Sequence, residues 1–542
     1  MTLFDRILAA RGIVGDLKTS FLSPDYSLSY DPFLLPDMAK AVERLVLAHD
    51  RQEHIAIYGD YDIDGLTSTA LLMDALKCFG FNHVDAVIPN RFVEGYGLTI
   101  DAVENIAKSG ARLIVTVDCG SLNKNEIIRA NELNVDVIVT DHHEVALIQP
   151  PAIAVINPKR NDHKYPFVDL AGVGVAFKLV QALQTRLDGL PMGQEKWMLD
   201  LVALGTVCDV VPLIDENRVN TYWGLKVLSQ TKRNGLKALM NVSAIDPKTV
   251  NARSLGFGLG PRMNAAGRLE TAQSALDMLV ADDLDLAIEK AQYLDDLNKT
   301  RRVDQAKILK EATIQAEQYT DDSVLVVSGA DWNHGIVGIV AAKLLEKYKK
   351  PTFVLQEMGD EAKGSARSYG DFSAVAAVRV SDDIITKGGG HKLAAGITLP
   401  TKNIAAFRLR INELYKSQNL ENQDLLLLPK ADVVAELYEL TDEVIDQISQ
   451  LEPFGNGNPQ PIIRSDDLLI KNIRKMGSDA QHIKLELQDI SGQKMQFLAF
   501  NSSEKYLVKI GDRVSVWYHP DVNEWQGRRS VEGRLLHLEI KE

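Results

Sequence analysis

Five short apolar runs between residues 54 and 158 constrain the fold more than any other feature of the sequence. Strands that are buried on both faces read as nearly continuous apolar runs, and their alternation with helices is typical of a parallel sheet. The runs are His54–Tyr58, Val84–Ile88, Leu113–Val117, Val135–Val139 and Ile153–Ile156. Helix-like stretches lie between them, among them Ser68–Phe79, Ile100–Lys108 and Asn123–Asn131. The sequence therefore predicts a parallel α/β domain here.

Acidic residues and imidazoles follow three of these runs. The segments are Asp60-Tyr61-Asp62-Ile63-Asp64, then Asp118-Cys119-Gly120, then Asp141-His142-His143. In open parallel sheets, ligands bind beyond the carboxyl ends of the strands, so we expect these side chains to meet there. A further acid, Asp209, follows an apolar helix predicted over Trp197–Val207. Together they predict a carboxylate-rich metal site containing imidazole.

The chemistry expected of such a site is phosphodiester hydrolysis. Hard carboxylates with one or two imidazoles favour Mg²⁺ or Mn²⁺, and a pair of such ions activates water and stabilises the leaving oxygen. The bridging ligand is expected to be Asp118, a lone acid after a central strand. His143, or its neighbour His142, is expected to contact the phosphate. Because Asp60, Asp62 and Asp64 alternate along the chain, an extended conformation would place them on one face.

Each of these residues also has a simpler interpretation. The Asp60–Gly65 string matches the start of an EF-hand loop, but Leu71 stands where that loop needs a bidentate Glu. Asp118 alone is typical of a helix N-cap, and the two histidines of a polar strand end. Cys119 and Cys208 are expected to be small packing residues. The combination of four acidic or histidine sites at element ends favours the metal site.

Whole-chain composition sets the broad class. The chain has 542 residues with 45% hydrophobic and 25% charged residues, which predicts three or four globular domains. Its net charge of −14 counts mildly against a nucleic-acid substrate, although a local basic channel and metal ions can offset it. Three cysteines and no long apolar N-terminal stretch predict a cytoplasmic protein without disulfides or a membrane segment.

The later parts of the chain change character twice. Asp283–Tyr319 lacks proline and glycine and predicts one long, solvated helix, which leads into a second α/β unit. In that unit Val324–Val327 and Thr352–Leu355 predict strands, and Ile336–Tyr348 a helix. Short strand candidates near the C-terminus (Leu468–Ile473, Ile483–Leu487, Gln496–Phe500, Val514–Tyr518) predict a small β-barrel like an OB-fold. The expected domains are an N-terminal segment (1–45), a catalytic domain (46–215), connecting helices that contain a Gly260–Arg268 loop (216–320), a second α/β domain (321–430) and the barrel (431–542).

The four acidic motifs, in this order, resemble the DHH phosphoesterase superfamily, and most closely its bacterial single-strand-specific DNA exonucleases. The resemblance covers nearly the whole chain. It includes Gly59–Gly65, Gly260–Arg268, Gly388-Gly389-Gly390-His391 and Leu451–Pro459. It implies a DHH domain, a DHH-associated domain and an OB-like domain, with activity on single-stranded DNA from the 5′ end to mononucleotides in DNA repair and recombination. It also implies a monomer whose partners include a single-stranded-DNA-binding protein and a helicase.

The resemblance also implies roles for individual residues. Metal ligands would be Asp62, Asp64, Asp118, His142 and Asp209, with Asp60 in support and His143 completing the catalytic set. Many superfamily members carry a His where this chain has Tyr58, which leaves the ligand set of one metal open. Substrate-binding residues would be Arg262, Asn264, Arg268, His334, Ser365, Arg367, Gly389, Gly390 and His391. Candidates in the β-rich tail for strand contact are Arg474, Lys475, Lys484, Trp517, Tyr518, Trp525, Arg528 and Arg529.

Three other functions fit parts of the pattern. An enzyme for very short oligonucleotides or cyclic dinucleotides, or an inorganic pyrophosphatase, would share the acidic motifs but is typically shorter. A catalytically silent scaffold that binds single strands would share the domains, and the intact acidic motifs argue against it. The preferred hypothesis is a metal-dependent exonuclease on single-stranded DNA.

Overall fold

The computed structural model describes residues 1–420, 428–477, 479–500, 502, 506–525 and 527–541. The chain divides into two compact units. One contains Met1–Ser29, Pro212–Tyr222 and Leu428–Glu542, and the other contains Tyr30–Val211 and Trp223–Leu427. Helices α1 (Leu3–Ala10) and α2 (Asp16–Leu22) therefore belong to the same unit as the C-terminal section. Within the described part of the chain, every helix is too short or too polar to cross a lipid bilayer.

The larger unit begins with a five-stranded parallel sheet of order β2-β1-β3-β4-β5. Its strands are β1 (Ile55–Gly59), β2 (Val84–Val87), β3 (Leu113–Val117), β4 (Asp136–Thr140) and β5 (Ala154–Ile156). Its helices are α3 (Met38–Arg51), α4 (Ile63–Cys78), α5 (Ile100–Lys108), α6 (Lys124–Glu132), α7 (Gly172–Leu183) and α8 (Leu199–Cys208). Strands β1 and β3 are buried along their whole length, as the apolar runs predict. The predicted parallel α/β domain is confirmed.

Connecting helices follow the first sheet. They are α9 (Asp215–Leu228), α10 (Asn234–Val242), α11 (Gly260–Leu269), α12 (Gln273–Leu279) and α13 (Leu284–Ala316). The 33-residue helix α13 confirms the predicted long helix, and its first turn is capped by Asp283, whose carboxylate accepts from the Leu286 N–H at 2.8 Å.

The expected loop at Gly260–Arg268 is wrong, because this segment is helix α11 and continues from a π-helical turn over Ser254–Leu259. Pro261 stands in the first turn, where its missing N–H costs nothing. The glycines serve close packing: a Cβ on Gly260 would lie 2.9 Å from the Cys208 Sγ, and one on Gly267 would lie 3.1 Å from the Tyr61 carbonyl oxygen.

A second sheet of order β6-β7-β8-β10-β9 completes the larger unit. Its strands are β6 (Leu325–Gly329), β7 (Thr352–Met358), β8 (Glu361–Arg367), β9 (Lys387–Gly390) and β10 (Ala394–Pro400). The helices around it are α14 (Val337–Tyr348), α15 (Ala374–Arg379) and α16 (Ile404–Ser417). Only β6 and β7 pair in parallel, and the remaining pairs are antiparallel. The predicted second α/β domain is confirmed.

The smaller unit is built on a β-barrel. Its elements are β11 (Val433–Val434), α17 (Asp442–Ser449), β12 (Ile463–Met476), β13 (His482–Gln488), β14 (Lys494–Ala499), β15 (Arg513–Trp525) and β16 (Arg528–Ile540). Pairing of β12 with β15 closes the five long strands into a barrel, which confirms the predicted β-barrel. Apolar residues of α1, including Phe4 and Ile7, share the hydrophobic core of the barrel strands. Strand β16 has no counterpart among the strands predicted from the sequence.

Candidate metal and phosphate site

The first three acidic segments meet at one edge of the first sheet. Strands β1, β3 and β4 run parallel and in register, with Gly59 beside Val117 and Val117 beside Thr140. The residues that follow these strand ends therefore lie side by side, as expected for the carboxyl edge of a parallel sheet. Asp209 is the C-cap residue of helix α8, and its carboxylate lies at the same edge of the sheet.

The Nε2 atom of His142 lies at the centre of this cluster. It is 3.1 Å from the Asp118 Oδ1, 3.6 Å from the Asp209 Oδ2 and 3.7 Å from the Asp64 Oδ2. Three sets of potential ligand atoms each lie within 4.8 Å of one another. The sets are Asp118, His142 and His143; Asp64, His142 and Asp209; and Asp60, Asp62 and Asp118. Asp118 and His142 each belong to two sets.

The three aspartates after β1 do not alternate on an extended segment, and that expectation is wrong. Asp62 is the N-cap of helix α4, where its Oδ1 accepts from the N–H groups of Asp64 at 3.0 Å and Gly65 at 3.2 Å. Asp64 therefore lies in the first helical turn. The capping preference of Asp ends the extended chain earlier than the acid pattern indicates.

Helix α7 presents its N-terminus to Asp64. The two carboxylate oxygens accept from the backbone N–H groups of Gly172 at 2.6 Å and Val173 at 2.9 Å. This orientation agrees with the preference of helix N-termini for negative charge. Gly172 also allows a close approach, because a Cβ there would lie 2.8 Å from the Asp118 Oδ1. One helix start therefore positions two of the acids.

The Asp118 backbone has a φ of 61°, in the left-handed region that non-glycine residues rarely adopt. Its N–H donates to the Thr140 carbonyl at 2.9 Å, which continues the β3–β4 pairing by one residue. Such a conformation costs about 1–3 kcal/mol, and residues held in it cluster at functional sites. The carboxylate is fully buried beside His142.

Asp141 holds His143 and does not join the cluster directly. Its Oδ1 accepts from the His143 Nδ1 at 2.9 Å and from the backbone N–H groups of His142 and His143, while its Oδ2 accepts from the Ser121 N–H. Burial opposes its charge, but the hydrogen bond and charge of His143 lower the pKa of Asp141 to about 2. The geometry supports the hypothesis that Asp141 orients an imidazole, specifically that of His143.

The cluster carries more negative charge than its surroundings can stabilise. Burial, together with repulsion from neighbouring aspartates, raises the pKa of Asp60, Asp64, Asp118 and Asp209 above its ordinary value. Burial and the charge of His143 lower the pKa of His142 to about 3, so its imidazole is neutral. Bound divalent cations would reverse this imbalance by stabilising the ionised carboxylates.

Three buried atoms of the cluster make no hydrogen bond of acceptable geometry among the described residues: the Asp60 Oδ1, and the Asp118 Oδ1 and His142 Nε2, whose 3.1 Å contact is not a hydrogen bond. A buried polar atom without a partner is costly unless a ligand satisfies it. Oxygen donors with one neutral imidazole suit Mg²⁺ or Mn²⁺. Burial raises the pKa of the Cys119 and Cys208 thiols, so neither supplies a thiolate at neutral pH, in agreement with a packing role.

Tyr58 occupies the position where many superfamily members carry a His. Its ring is fully buried, and its hydroxyl donates to the Gly97 carbonyl oxygen at 3.0 Å. Tyr58 therefore anchors the loop between β2 and α5. The hydroxyl of Tyr96, in the same loop, donates to the Asp118 carbonyl oxygen at 3.3 Å and lies 3.0 Å from the His143 Nδ1.

A cluster of arginines lies close to the acids. Burial and the charges of Arg91, Arg301 and Arg367 lower the pKa of Arg268 to about 10, whereas Asp62 acts in the opposite direction. The Arg268 Nη1 donates to the Gly335 carbonyl oxygen at 3.1 Å, and the Arg91 guanidinium lies 5.1 Å from the centre of the Tyr61 ring. Guanidinium groups are suited to bind a phosphate through paired hydrogen bonds, so Arg91, Arg268, Arg301 and Arg367 are candidates for that role. We call them the arginine cluster.

Strand β8 supplies two of the predicted substrate-binding residues. Ser365 and Arg367 alternate along β8, so they share a face of the sheet. Gly338 of helix α14 lies against both, and a Cβ there would be 3.3 Å from the Ser365 Cβ and 3.4 Å from the Arg367 Nη2. His334 precedes the same helix, and its Nδ1 lies 2.8 Å from the Gln356 Oε1.

Other predicted substrate residues have different surroundings. The Arg262 Nε donates to the Asp295 Oδ1 at 2.7 Å and its Nη1 to the Gly258 carbonyl oxygen, so this side chain links α11 to α13. Asn264 is partly buried on α11. Gly389 and Gly390 lie on the exposed edge strand β9, and His391 follows it with its N–H bonded to the Ala394 carbonyl oxygen.

The barrel residues predicted to contact a DNA strand differ in their exposure to solvent. Arg474 and Lys475 are exposed, whereas Lys484 pairs with Glu532 at 2.9 Å. Tyr518 belongs to the core, with its hydroxyl 2.9 Å from the Ser465 Oγ, and Trp517 is largely buried. Arg529 contacts Asp442 and Asp446. The side chains of Trp525 and Arg528 lie outside the described residues.

Sequence reasoning missed several residues of the site. Arg91 and Tyr96 lie in a loop whose Asn-Arg-Phe-Val-Glu-Gly-Tyr-Gly sequence resembles an ordinary turn. Gly172 starts a helix in an Ala-Gly-Val-Gly run, which gives no sign of its contact with Asp118. Arg301 is one charge among many on α13. The only local signal was a cluster of Gly, Arg and Tyr between predicted elements.

Comparison with family models assigns three segments. The N-terminal domain of the DHH family matches residues 54–206, the DHHA1 domain matches residues 321–417, and the RecJ OB domain matches residues 431–537. Their order along the chain is the one expected from the sequence motifs. The folds of the two α/β regions and of the barrel agree with these matches.

Curated relatives carry the name single-stranded-DNA-specific exonuclease RecJ. The protein of Bacillus subtilis is 40% identical over 95% of this chain, and this chain spans 64% of its length. The proteins of Salmonella typhimurium and Escherichia coli are each 36% identical over 92% of this chain and are covered over 89% of their own length.

Solved structures agree with the relatives. RecJ of Thermus thermophilus in complex with Mn²⁺ superposes with a TM-score of 0.84 and 29% identity, covering 99% of this chain and 76% of that chain. A structure of the same protein with Mg²⁺ has a TM-score of 0.78 and covers 99% and 74%. Because those structures hold Mn²⁺ or Mg²⁺ and this chain offers carboxylate and imidazole ligands, the predicted metals are confirmed. The resemblance inferred from the motifs is confirmed as well, and the chain belongs to the RecJ family.

Proposed function

We propose that the chain is a metal-dependent exonuclease that degrades single-stranded DNA from its 5′ end to mononucleotides. The observation that carries this proposal is the buried cluster around the His142 Nε2, with three atoms that lack hydrogen-bond partners among the described residues. The names of the RecJ relatives support single-stranded DNA as the substrate.

Two ions would be held by Asp62, Asp64, Asp118, His142 and Asp209, with Asp60 in support. Asp118 belongs to two of the three ligand sets, which supports a bridging role for its carboxylate. When bound, such ions activate water and stabilise the leaving oxygen of a phosphodiester. The left-handed backbone of Asp118 and the helix start at Gly172 fix the position of this carboxylate before substrate binds.

His143 would donate to the substrate phosphate. Asp141 accepts from its Nδ1, which leaves the Nε2 for a ligand. Burial disfavours the charged imidazole, but the hydrogen bond and charge of Asp141 prevail and raise the pKa of His143. A charged donor stabilises negative charge that develops on phosphate oxygens.

The arginine cluster would hold the 5′-terminal phosphate. The charges of Arg91, Arg301, Arg367 and Asp62 all act on Arg268, and Ser365 adds a hydroxyl on the same face as Arg367. A phosphate held at a fixed distance from the metal ions places the first phosphodiester of the strand for attack. This arrangement would favour release of one nucleotide at a time.

Further contacts would guide the strand. His334, Asn264 and the Gly389-Gly390-His391 edge of the second sheet are proposed to contact DNA, since glycines permit backbone N–H groups to approach a phosphate. Arg262 is tied to Asp295 and is proposed only to position helix α11. In the barrel, exposed Arg474 and Lys475 are the proposed phosphate contacts.

The decisive assay compares DNA substrates with one end blocked. The Mn²⁺-loaded protein should release labelled mononucleotide from 5′-labelled single strands, should be stopped by a 5′ block, and should leave duplex DNA intact. Asp118→Ala should lower the rate at least about a thousandfold because the metal bridge is lost. Asp101→Ala, an exposed acid on α5, serves as the matched control.

Two outcomes would replace the proposal with an alternative. Faster turnover of a dinucleotide than of a long strand would indicate an enzyme for short oligonucleotides. Strand binding without hydrolysis would indicate a scaffold. For the cellular role we propose DNA repair and recombination by a monomer that acts with a single-stranded-DNA-binding protein and a helicase.

A further inference from the structure

A cavity of about 500 Å³ is lined by residues that neighbour two members of the arginine cluster along the chain. Two segments that supply an arginine supply the next residue to the cavity wall: Phe92 follows Arg91, and Leu269 follows Arg268. The segment Ala330–His334 and Gln356 of β7 complete the wall. The carbonyl oxygen of Gly335, which follows this segment, accepts from the Arg268 Nη1 at 3.1 Å. A group covalently attached to a phosphate in the arginine cluster therefore lies within reach of the cavity.

The wall contains an aromatic ring and two side-chain amides, and the oxygen of each amide already accepts a hydrogen bond. The rings of Phe92 and His334 meet edge to face with their centres 4.9 Å apart. The Gln356 Oε1 accepts from the His334 N–H and lies 2.8 Å from its Nδ1, so the amide NH₂ of Gln356 remains as a donor. The Asn333 Oδ1 accepts from the Gly335 N–H at 2.8 Å, which likewise leaves the Asn333 NH₂ as a donor.

We propose that this cavity holds the nucleobase of the terminal nucleotide whose phosphate binds the arginine cluster. The inference rests on the function proposed above and adds a site for the base. A partly exposed aromatic ring stacks on any base, because every base has a π-face. Amide donors suit the N3 of purines and the O2 of pyrimidines, which are acceptors on all four bases. The cavity therefore holds the base without selecting its identity, as an enzyme that degrades any sequence requires.

The test compares ligands that differ only in the base. Isothermal titration of the Mn²⁺-loaded full-length protein measures the affinity for deoxyadenosine 5′-monophosphate and for 2-deoxyribose 5-phosphate. The nucleotide should bind about 5- to 100-fold more tightly, which is the range expected for stacking of one base. Phe92→Leu should reduce this ratio to below about threefold, and the four deoxynucleotides should differ from one another by less than about tenfold. Phe33→Leu, at a ring that is 39% exposed, is the matched control and should keep the wild-type ratio.

Equal binding of the two ligands by the wild-type protein would overturn the proposal, as would a ratio that survives Phe92→Leu. If Phe92→Leu fails to fold, photocrosslinking of 5-iodo-deoxyuridine monophosphate to the wild-type protein decides the question. Crosslinks to the peptides containing Phe92 or Ala330–His334 support the cavity, and crosslinks confined to other peptides overturn it. Binding is measured without turnover, so an absence of exonuclease activity would refute the proposed function and leave this test intact.

Discussion

At the scale of single residues, the acidic cluster couples metal binding to pH. Burial and repulsion from Asp62 raise the pKa of Asp64 to about 7, and burial with repulsion from Asp64 raises the pKa of Asp209 to about 8 in the metal-free protein. An unfolded chain releases these protons near pH 4. Between about pH 4 and about pH 8 the folded protein therefore binds more protons than the unfolded chain. Its free energy of unfolding decreases as the pH rises through this interval.

A bound divalent cation favours the ionised carboxylates, so the metal-bound protein does not lose stability as the pH rises. The increase in Tm caused by Mn²⁺ should therefore be small at pH 5 and large at pH 8, as measured by calorimetry with and without the metal. Asp209→Asn should make the metal-free protein less sensitive to pH over the same interval. A Mn²⁺ effect of the same size at both pH values would contradict the assignment of these acids as metal ligands.

Tyr58 connects the strand that precedes the acids to the loop beside them. Its hydroxyl holds the Gly97 carbonyl in the loop that carries Arg91 and Tyr96. Tyr58→Phe should cost about 1 kcal/mol of unfolding free energy, as expected for one buried hydrogen bond. Because the loop then shifts relative to the cluster, turnover of single-stranded DNA should fall about tenfold.

The control for Tyr58→Phe is Tyr518→Phe, which removes a buried hydroxyl from the barrel core. Both variants should lose similar stability, and only Tyr58→Phe should lower kcat. Unchanged kcat in Tyr58→Phe would show that the loop keeps its place without this hydrogen bond.

The sequence indicated the acids and the histidine pair but not how they are held. Asp62, Asp118 and His142 follow strand or helix boundaries that the apolar runs locate to within a residue or two. The left-handed φ of Asp118 and the contact of Gly172 with it depend on the packing of α7, which is distant in sequence. Local patterns carry no information about such contacts.

At the scale of elements, the start of helix α7 is the part of the fold on which the site most depends. A Cβ on Gly172 would lie 2.8 Å from both the Cβ and the Oδ1 of Asp118, and the backbone N–H of Gly172 already donates to Asp64. Gly172→Ala should therefore displace the helix start, lower metal affinity and reduce activity at least about a hundredfold. Titration with Mn²⁺ and a turnover assay check both effects.

Gly174→Ala is the matched control on the same helix. The three atoms nearest to a Cβ at Gly174 would all belong to the Leu170 side chain, at 3.3–3.8 Å, and a side chain can shift by the few tenths of an ångström required. Full activity of Gly172→Ala would contradict the claim that the helix start positions Asp64 and Asp118.

Helix α11 lies where the sequence predicts a loop. Glycine and proline usually mark turns, and Gly260–Arg268 contains both. In the structure the proline lies in the first turn and the glycines permit contacts with Cys208 and Tyr61. A segment rich in glycine and proline can form either a flexible loop or a tightly packed helix. Contacts with residues distant in sequence decide between the two.

At the scale of the whole molecule, the first 29 residues belong to the unit that contains the barrel. The Arg11 guanidinium contacts the Asp432 carboxylate at 2.8 Å, and apolar residues of α1 join the core of the barrel. No sequence pattern predicted this, because an amphipathic helix does not specify which distant surface covers its apolar face.

The apolar face of α1 is expected to stabilise the barrel. Ile7 is fully buried in the barrel core, so Ile7→Ala should cost about 2–5 kcal/mol of the unfolding free energy of that unit. Leu17→Ala, at a side chain that is 53% exposed on α2, should cost less than about 0.5 kcal/mol. Hydrogen exchange should show lower protection in strands β12–β16 of Ile7→Ala, while β1 and β3 of the first sheet keep theirs. Equal protection of the barrel strands in Ile7→Ala and Leu17→Ala would show that the barrel is stable without its N-terminal helix.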